Sequence, residues 1–539
     1  MSGSRRSEEV ARSGEPSDGT VPPAATDEDG LAIPREDSTT MRRSQVRGST
    51  LLVVGRILTL LLTTATQVVV VRALTKTEFG AFGYALALAA AGRPLLSLGQ
   101  GKLLSRFMAK YEEERDFDRM FGAMFLAIGT IAVTSTISVA VLFLLSDALL
   151  GSAVREAATV QVVLILIFLA PLEALDQVFV SLFAVFSKPR TIFFRKYLFT
   201  PALRFGVVLA LALTNSSVTF LAVGYVAAGV VGLVVYVLVF LKELRARGLL
   251  KQLRPRRIVL PFRAVFSFSL PLISGELFLL SLNVGGVLAL GYFHSAAEVA
   301  SYRAVFNPAR LNTAVLHAFV PLFLPLAARL FVRKDIAGLR EAYWHTGAFV
   351  AVLSFPVFAL TGPLASDITV LLFGSDYADS GIVLALLSVG YYFSVVLGFN
   401  TYTLQVCERI RFLVWVNLFV AALNVVLSLM LVQRFAAVGV AAASLAALVV
   451  QNVINQWALR RALGTAFIDR SCVLLYAVIV VCAVALWVFE ALVDPGLVIG
   501  VAAATAASAI VLFASRSAIQ LGDTFPELRR VPIVGRFVG

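Results

Sequence analysis

Charge is scarce in this sequence: only 15% of its 539 residues are Asp, Glu, Lys or Arg, and only three are histidine. A soluble globular chain carries about 25%. The shortage therefore excludes an ordinary water-soluble domain, and the 59% hydrophobic content agrees. Cysteine is equally sparse. Cys407, Cys472 and Cys482 lie in or beside apolar runs without metal-type spacing, so no disulfide framework, metal site or cofactor is expected. Also missing are a phosphate-cradling glycine loop followed by lysine, paired Cys or His ligands, and a nucleophile elbow. The longest loop expected outside the membrane, about 363–379, offers only Asp367, Asp376 and Asp379 as carboxylates. It is too small for an extramembrane catalytic domain, so the chain does not read as an enzyme.

What is present in abundance is apolar sequence. Mean hydropathy is +0.87, and runs of about twenty apolar residues, each long enough to cross a bilayer, recur along the chain. The expected fold is an all-α integral membrane protein of about fourteen transmembrane helices. The expected spans are 50–73, 78–98, 120–145, 157–185, 191–213, 217–241, 264–293, 302–325, 341–362, 380–402, 411–432, 436–459, 471–493 and 496–515. Residues 1–47, rich in Glu, Asp, Ser, Gly, Pro and Arg, read as a disordered cytoplasmic tail. The first apolar run starts behind this tail, near residue 50, so no cleavable signal peptide is expected.

Loop charge tests the span count. With the N-terminus inside, inner flanking segments carry thirty-three Lys and Arg and the outer loops four. A wrong count would scramble that alternation from the error onward, so both termini are expected in the cytoplasm of a multi-pass cell-membrane protein. The net charge of +13 is thereby explained as topology, with no nucleic-acid partner. The longest inner loop, 242–263, holds eight basic residues and falls where a linker between two lobes would stand; it also suits anionic membrane lipids. The resulting division is a 48–241 N-lobe, the 242–263 linker, a 264–461 C-lobe, accessory spans in 462–515 and a cytoplasmic 516–539 tail. A faint parallel repeat relates Glu78 and Arg93 to Glu298 and Arg310.

Against this apolar background the stretch 301–317 stands out. Arg303, Asn307, Arg310, Thr313 and His317 follow in helical steps on one face. Each intramembrane arginine costs roughly 2.5–3.5 kcal/mol on insertion scales, which a polar cavity or a partner must offset. The first span has a similar stripe in Arg56, Thr59, Thr63 and Gln67, and Arg93 and Arg204 lie in the second and fifth. Taken singly, such an arginine is a structural ion pair or snorkels to the interface. Together, Arg56, Arg93, Arg204, Arg303 and Arg310 outnumber the intramembrane acids Glu173, Asp176 and Glu276. They read as a cationic path distributed over depth, suited to phosphate or carboxylate groups. Thr63, Gln67, Asn307 and Asn424 are the candidate neutral polar groups of the cavity. Asn417 and Asn424 suit bonds between helices better than ligand contact, and Gln451, Asn452, Asn455 and Gln456 read as polarity near the inner surface.

Several short patterns, in order, resemble the Wzx-like or RfbX-like polysaccharide flippases of the multidrug/oligosaccharidyl-lipid/polysaccharide exporter (MOP) superfamily. They are Val71, Arg72 and Leu74 running into Glu78, Phe79 and Gly80, then Gly99, Leu103, Arg106 and Phe107. Next come Gly291, Tyr292 and Phe293 with Val299 to Tyr302, then Pro321 and Pro325. Leu372, Phe373, Gly374, Tyr377 and Ala378 follow, and finally Asn424 with Val438 to Ala442.

The resemblance implies two six-helix lobes around a central cavity, two accessory helices, and alternating access. The implied cargo is an anionic oligosaccharide on a polyprenyl phosphate or diphosphate, for surface polysaccharide or glycoconjugate assembly. Glycosyltransferases or a polymerase of the same pathway become candidate partners. The five arginines would then neutralise the headgroup. Where many relatives have an acid five residues before the glycine aligned with Gly291, this chain has Gly286, leaving Glu276 as the nearest candidate for ion coupling. Competing readings are a peptidoglycan lipid II flippase, which shares the span number and cavity arginines, and a drug/cation antiporter.

Overall fold

A computed structural model describes residues 55, 58–98, 100–144, 157–185, 193–253, 257–262, 276, 278–464 and 470–515. The tails expected at 1–47 and 516–539, Arg56, and the linker residues Arg254, Arg256 and Arg263 lie outside the described residues.

Among the described residues the chain is helical, without strands. Its helices are α1 Leu58–Ala73, α2 Lys76–Ser97, α3 Gln100–Glu113, α4 Phe117–Leu144 and α5 Thr159–Phe183. There follow α6 Tyr197–Thr214, α7 Val218–Ala246, α8 Phe278–Phe293, α9 Ala296–Val332 and α10 Ile336–Thr361. The last are α11 Ala365–Phe373, α12 Ser380–Val406, α13 Ile410–Leu463, α14 Cys472–Val493 and α15 Gly496–Ala514. Eleven of these are long and apolar enough to cross a membrane, and α1 and α8 are shorter apolar helices. The 54-residue α13 breaks at Ala436, whose φ of 44° and ψ of −127° are not helical. Counting its two parts separately, with α1 and α8, makes fourteen apolar helices, the number the apolar runs imply.

Local chemistry sets the turns. Thr75 and Glu78 form a reciprocal cap on α2: the Glu78 amide donates to the Thr75 hydroxyl, and the Thr75 amide donates to the Glu78 carboxylate at 3.0 Å. Asp335 caps α10 by accepting from the Gly338 amide at 2.8 Å. Between the two parts of α13, Gly439 has the Leu431 carbonyl 2.4 Å from where a Cβ would stand, so only glycine permits that approach.

The outside of the bundle is apolar as well as its core. Large apolar side chains such as Leu144, Leu213, Trp415, Leu474 and Phe513 face outward, as lipid contact requires. Inside the C-terminal half, polar side chains join the helices. Asn452 donates to Ser394 at 3.0 Å, Asn455 to Thr401 at 3.0 Å and Tyr343 to Gln456 at 2.6 Å. Asn452, Asn455 and Gln456 are thus buried helix-to-helix bonds, where the sequence reads as surface polarity. The last two helices, α14 and α15, pack on α10 and its C-terminal turn: the Trp487 ring meets Phe358 edge-on, and Gly500 seats against Leu364.

The two halves of the chain meet closely at the end of the bundle bearing Thr75. Gly80 of α2 sits so near the Ala296 carbonyl of α9 that a Cβ would lie 1.7 Å from it. Gly291 of α8 lies against the Tyr84 ring of α2. Arg72, at the end of α1, donates to the Leu371 and Leu372 carbonyls at 2.6 and 2.9 Å, where α11 ends. Lys76 donates to the Asp376 carbonyl at 2.7 Å and sits 5.2 Å from the centre of the Tyr377 ring. The final carbonyls of a helix are its unanswered acceptors and carry partial negative charge; two cations of one half cap and latch the other.

Candidate functional site

Beyond this latched end lies a cavity of about 390 Å³. Its wall is built from α1, α2, α5, α6 and α7, with Arg303 and Asn307 contributed by α9. Arg93, Arg204 and Arg303, far apart in sequence, line this one space. Glu173 and Asp176 of α5 line it as well, so the charged wall has one positive charge in excess.

Arg303 reaches the cavity across α2. Gly83 makes this possible: a Cβ there would come within 3.2 Å of the Arg303 Cγ. Neither Arg303 nor Arg93 has a carboxylate partner among the described residues, so both guanidinium groups are available to a ligand anion. Arg204 is held differently. Its Nη2 donates to Glu173 Oε1 at 3.0 Å, and the guanidinium stands 5.4 Å from the centre of the Tyr225 ring. Its Nε is buried without a hydrogen-bond acceptor. Burial of a charged donor without an acceptor is costly, and a ligand oxygen reaching it would remove that cost. Phe82 meets Tyr225 edge-on at 5.1 Å and closes this side of the space.

The neutral polar groups have structural partners. Pro308 lies within α9 and has no amide to donate to the carbonyl of residue 304. Gln67 of α1 supplies the missing donor: its Nε2 gives hydrogen bonds to the carbonyls of Ala304 at 2.7 Å and Arg303 at 2.9 Å. Asn307 donates in turn to the Gln67 carbonyl oxygen. One glutamine therefore ties the two halves of the chain together beside Arg303. Thr59 donates to the Tyr197 carbonyl at 2.9 Å, and Thr63, also on the wall, donates to the Thr59 carbonyl at 2.8 Å within α1.

Not every candidate meets the cavity. Arg310 is exposed, is not part of the cavity wall, and lies 5.7 Å from the centre of the Phe306 ring. Arg310 stands two helical turns beyond Arg303, at the end of the α-helical part of α9, where a 3₁₀ turn follows at Leu311–Thr313. Asn424 is 1% exposed and sits inside α13 away from the cavity, and Glu276, half-buried before α8, does not line it. Arg56 lies outside the described residues. Conversely, Glu173, Asp176, Tyr225 and Gly83 belong to the wall. The sequence signal for Glu173 is only that an intramembrane acid must find a cation; nothing local names Arg204 as that cation.

The sequence matches the polysaccharide biosynthesis protein family over residues 45–331, and no curated protein matches it. Among solved structures, the fold is similar to the lipid II flippase MurJ in an inward closed conformation. That comparison has a TM-score of 0.64 at 12% identity and covers 90% of this chain and 99% of that one. An inward-facing multidrug resistance MATE family transporter of the MOP superfamily gives 0.60 at 12% identity, covering 76% and 96%. A MATE transporter in complex with MaL6 gives 0.51 at 15% identity, covering 78% and 97%.

Proposed function

The chain belongs to the polysaccharide biosynthesis protein family, and on that footing we propose that it is an alternating-access flippase for an anionic, polyprenyl-(di)phosphate-linked oligosaccharide. The observation that carries this reading is the meeting of Arg93, Arg204 and Arg303 in one cavity of a membrane-embedded helical bundle. A guanidinium is the side chain best matched to phosphate, because its planar fork gives paired N–H donors and it stays charged. Three of them in a 390 Å³ space accommodate a diphosphate headgroup, while the polyprenyl tail remains in lipid. With the basic loops on the cytoplasmic side, the latched Thr75 end faces outward and the cavity is loaded from inside. Cargo then crosses when Arg72 and Lys76 leave the carbonyls of α11 and the turn after it. Delivery is to the enzymes that extend or polymerise the glycan, and the glycosyltransferases that build it are the source.

The test is Arg93→Ala with Arg303→Ala, read as surface glycan in the producing cell and as translocation of a fluorescent lipid-linked oligosaccharide in proteoliposomes. Both signals should fall at least tenfold while membrane insertion persists, and normal glycan display would refute the reading. A peptidoglycan lipid II flippase uses the same diphosphate chemistry; rescue of cells depleted of their own lipid II flippase would favour it. Glu173 and Asp176 in the cavity are what a drug/cation antiporter would need, and it would show as cation efflux lost in Asp176→Asn.

A further inference from the structure

The Arg204–Glu173 pair occupies the place where cargo phosphate would bind, and the flippase reading leaves the carboxylate without a role. Resting on that reading, we propose that Glu173 is an exchangeable counter-ion: arriving phosphate replaces it on Arg204, and the released carboxylate takes up one proton through cavity water. Cargo binding and proton uptake are then one event.

Four observations place the exchange at this residue. The contact is a single hydrogen bond from Nη2 to Oε1 at 3.0 Å rather than a bidentate clasp, so one phosphate oxygen suffices to replace it. The Nε of the same guanidinium is buried and lacks an acceptor, giving the newcomer a second donor that Glu173 leaves unused. Both partners line the cavity and are about three-tenths exposed, so cargo and water reach them. The fourth is the charge of the wall. The charged and titratable groups around Glu173 are Arg93 from α2, Asp176 from its own helix, Arg204 from α6, Tyr225 from α7 and Arg303 from α9. The α1 side contributes the neutral Thr59, Thr63, Thr66 and Gln67. Three arginines and two carboxylates leave one excess positive charge, and a diphosphate diester brings two negative ones. The loaded wall is then one positive charge short, and a proton on Glu173 makes it neutral. Leu169 and Leu172 beside the acid make an unbalanced charge more costly there.

Atoms and charges balance. The Arg204 hydrogen bond passes from carboxylate to phosphate oxygen, the carboxylate gains an H⁺ that the solution buffer gives up and cavity water relays, and no other bond changes. Release of cargo on the far side returns Glu173 to Arg204 and expels the proton there. The proton travels with the cargo, so an inward-directed proton gradient opposes export and an outward-directed one assists it.

The test uses the purified full-length protein and a water-soluble, short-chain prenyl-diphosphate–N-acetylglucosamine diester, whose phosphates do not titrate near neutral pH. Calorimetry in buffers of different ionisation enthalpy counts protons taken up per diester bound. Wild type should take up about one, and its affinity should rise as pH falls, by at most about tenfold per pH unit. Glu173→Gln should take up close to none, bind more tightly than wild type at neutral pH, and lose most of the pH dependence. Asp176→Asn also makes the loaded wall neutral and should lower the uptake too, so the acceptor is identified by infrared difference spectroscopy: the carboxylic-acid band that appears on binding should shift with ¹³C-glutamate labelling and not with ¹³C-aspartate. Diester binding by wild type without proton uptake overturns the exchange and leaves the flippase reading standing. Uptake that survives in Glu173→Gln also overturns it, as does a carboxylic-acid band that shifts with aspartate labelling instead of glutamate labelling. Absence of diester binding by wild type overturns both readings. The wild-type proton count does not depend on any variant folding.

Discussion

Replacing Arg72 and Lys76 together by alanine should release the Thr75 end of the bundle. The pair makes three charge-assisted hydrogen bonds to backbone carbonyls, at 2.6, 2.9 and 2.7 Å. Buried bonds of that kind contribute about 1.5–3 kcal/mol each. Arg72 is exposed and Lys76 only partly covered, so water answers most of what the carbonyls lose; a third of that value, or roughly 2 kcal/mol for the three, is the appropriate scale. Two kcal/mol is about a thirtyfold change in the ratio of unlatched to latched protein. The cavity provides the readout. Thr66 lines it and is 7% exposed, so Thr66→Cys reports access when Cys407, Cys472 and Cys482 are replaced. Labelling by a membrane-impermeant maleimide added outside intact cells should accelerate by up to about thirtyfold in the double variant, while labelling from the cytoplasmic side slows. Unchanged outside labelling, within twofold, would refute the latch. An equal increase from both sides would indicate general loosening instead, and would refute it as well.

Other outcomes follow from the same geometry. Gln67→Leu leaves the Ala304 carbonyl and Asn307 without their partner; a loss of about 1–3 kcal/mol should appear as a lower melting temperature in detergent. Pro308→Ala returns an amide to the Ala304 carbonyl and makes Gln67 redundant there, so the double variant with Gln67→Leu should be more stable than Gln67→Leu alone. Gly83→Val crowds the Arg303 stem, whose Cγ would already stand 3.2 Å from a Cβ; diester affinity should fall several-fold, with expression and melting little changed. Asn452→Leu removes donors to the Ser394 hydroxyl and the Leu448 carbonyl and should lower stability by about 1–3 kcal/mol without altering the proton count.

The membrane architecture was legible because its signals are local. Apolar length acts within a single helix, and the helices lie where the apolar runs fall. The cavity was legible only in part. Helical spacing put Arg303 and Asn307 on one face, and both line it, but the same spacing also drew in Arg310, two turns beyond Arg303 and past the cavity wall. Asn452, Asn455 and Gln456 show the reverse ambiguity. A polar residue near the end of an apolar run looks alike whether it faces water or another helix, and only the fold makes them buried donors and acceptors. The partner of Arg204 was not legible at all, since Glu173 lies thirty-one residues earlier on another helix and only tertiary packing brings them together. Gly83 was silent for a similar reason: a glycine in sequence does not announce whose side chain will lie across it.

The missing amide of Pro308 has a mechanical consequence. Because the vacancy is chemical, no rearrangement of α9 can fill it from within. Detaching Gln67 would leave the carbonyl of the fully buried Ala304 without a donor and part Gln67 from Asn307. Sliding α1 along α9 is therefore expensive, whereas turning about that point keeps every bond. Gln67 is in effect a fulcrum. Arg72 stands five residues above it, a lever arm of about 7–8 Å at 1.5 Å per residue, and Thr59 stands eight below, an arm of about 12 Å. A tilt of about 10° about Gln67 then displaces Arg72 by only about 1.3 Å, enough to weaken hydrogen bonds steeply. The opposite end of α1 travels half as far again. In the proposed transport cycle, slight motion would unlock one end while closing the other, with Gln67 still joining the two halves of the chain.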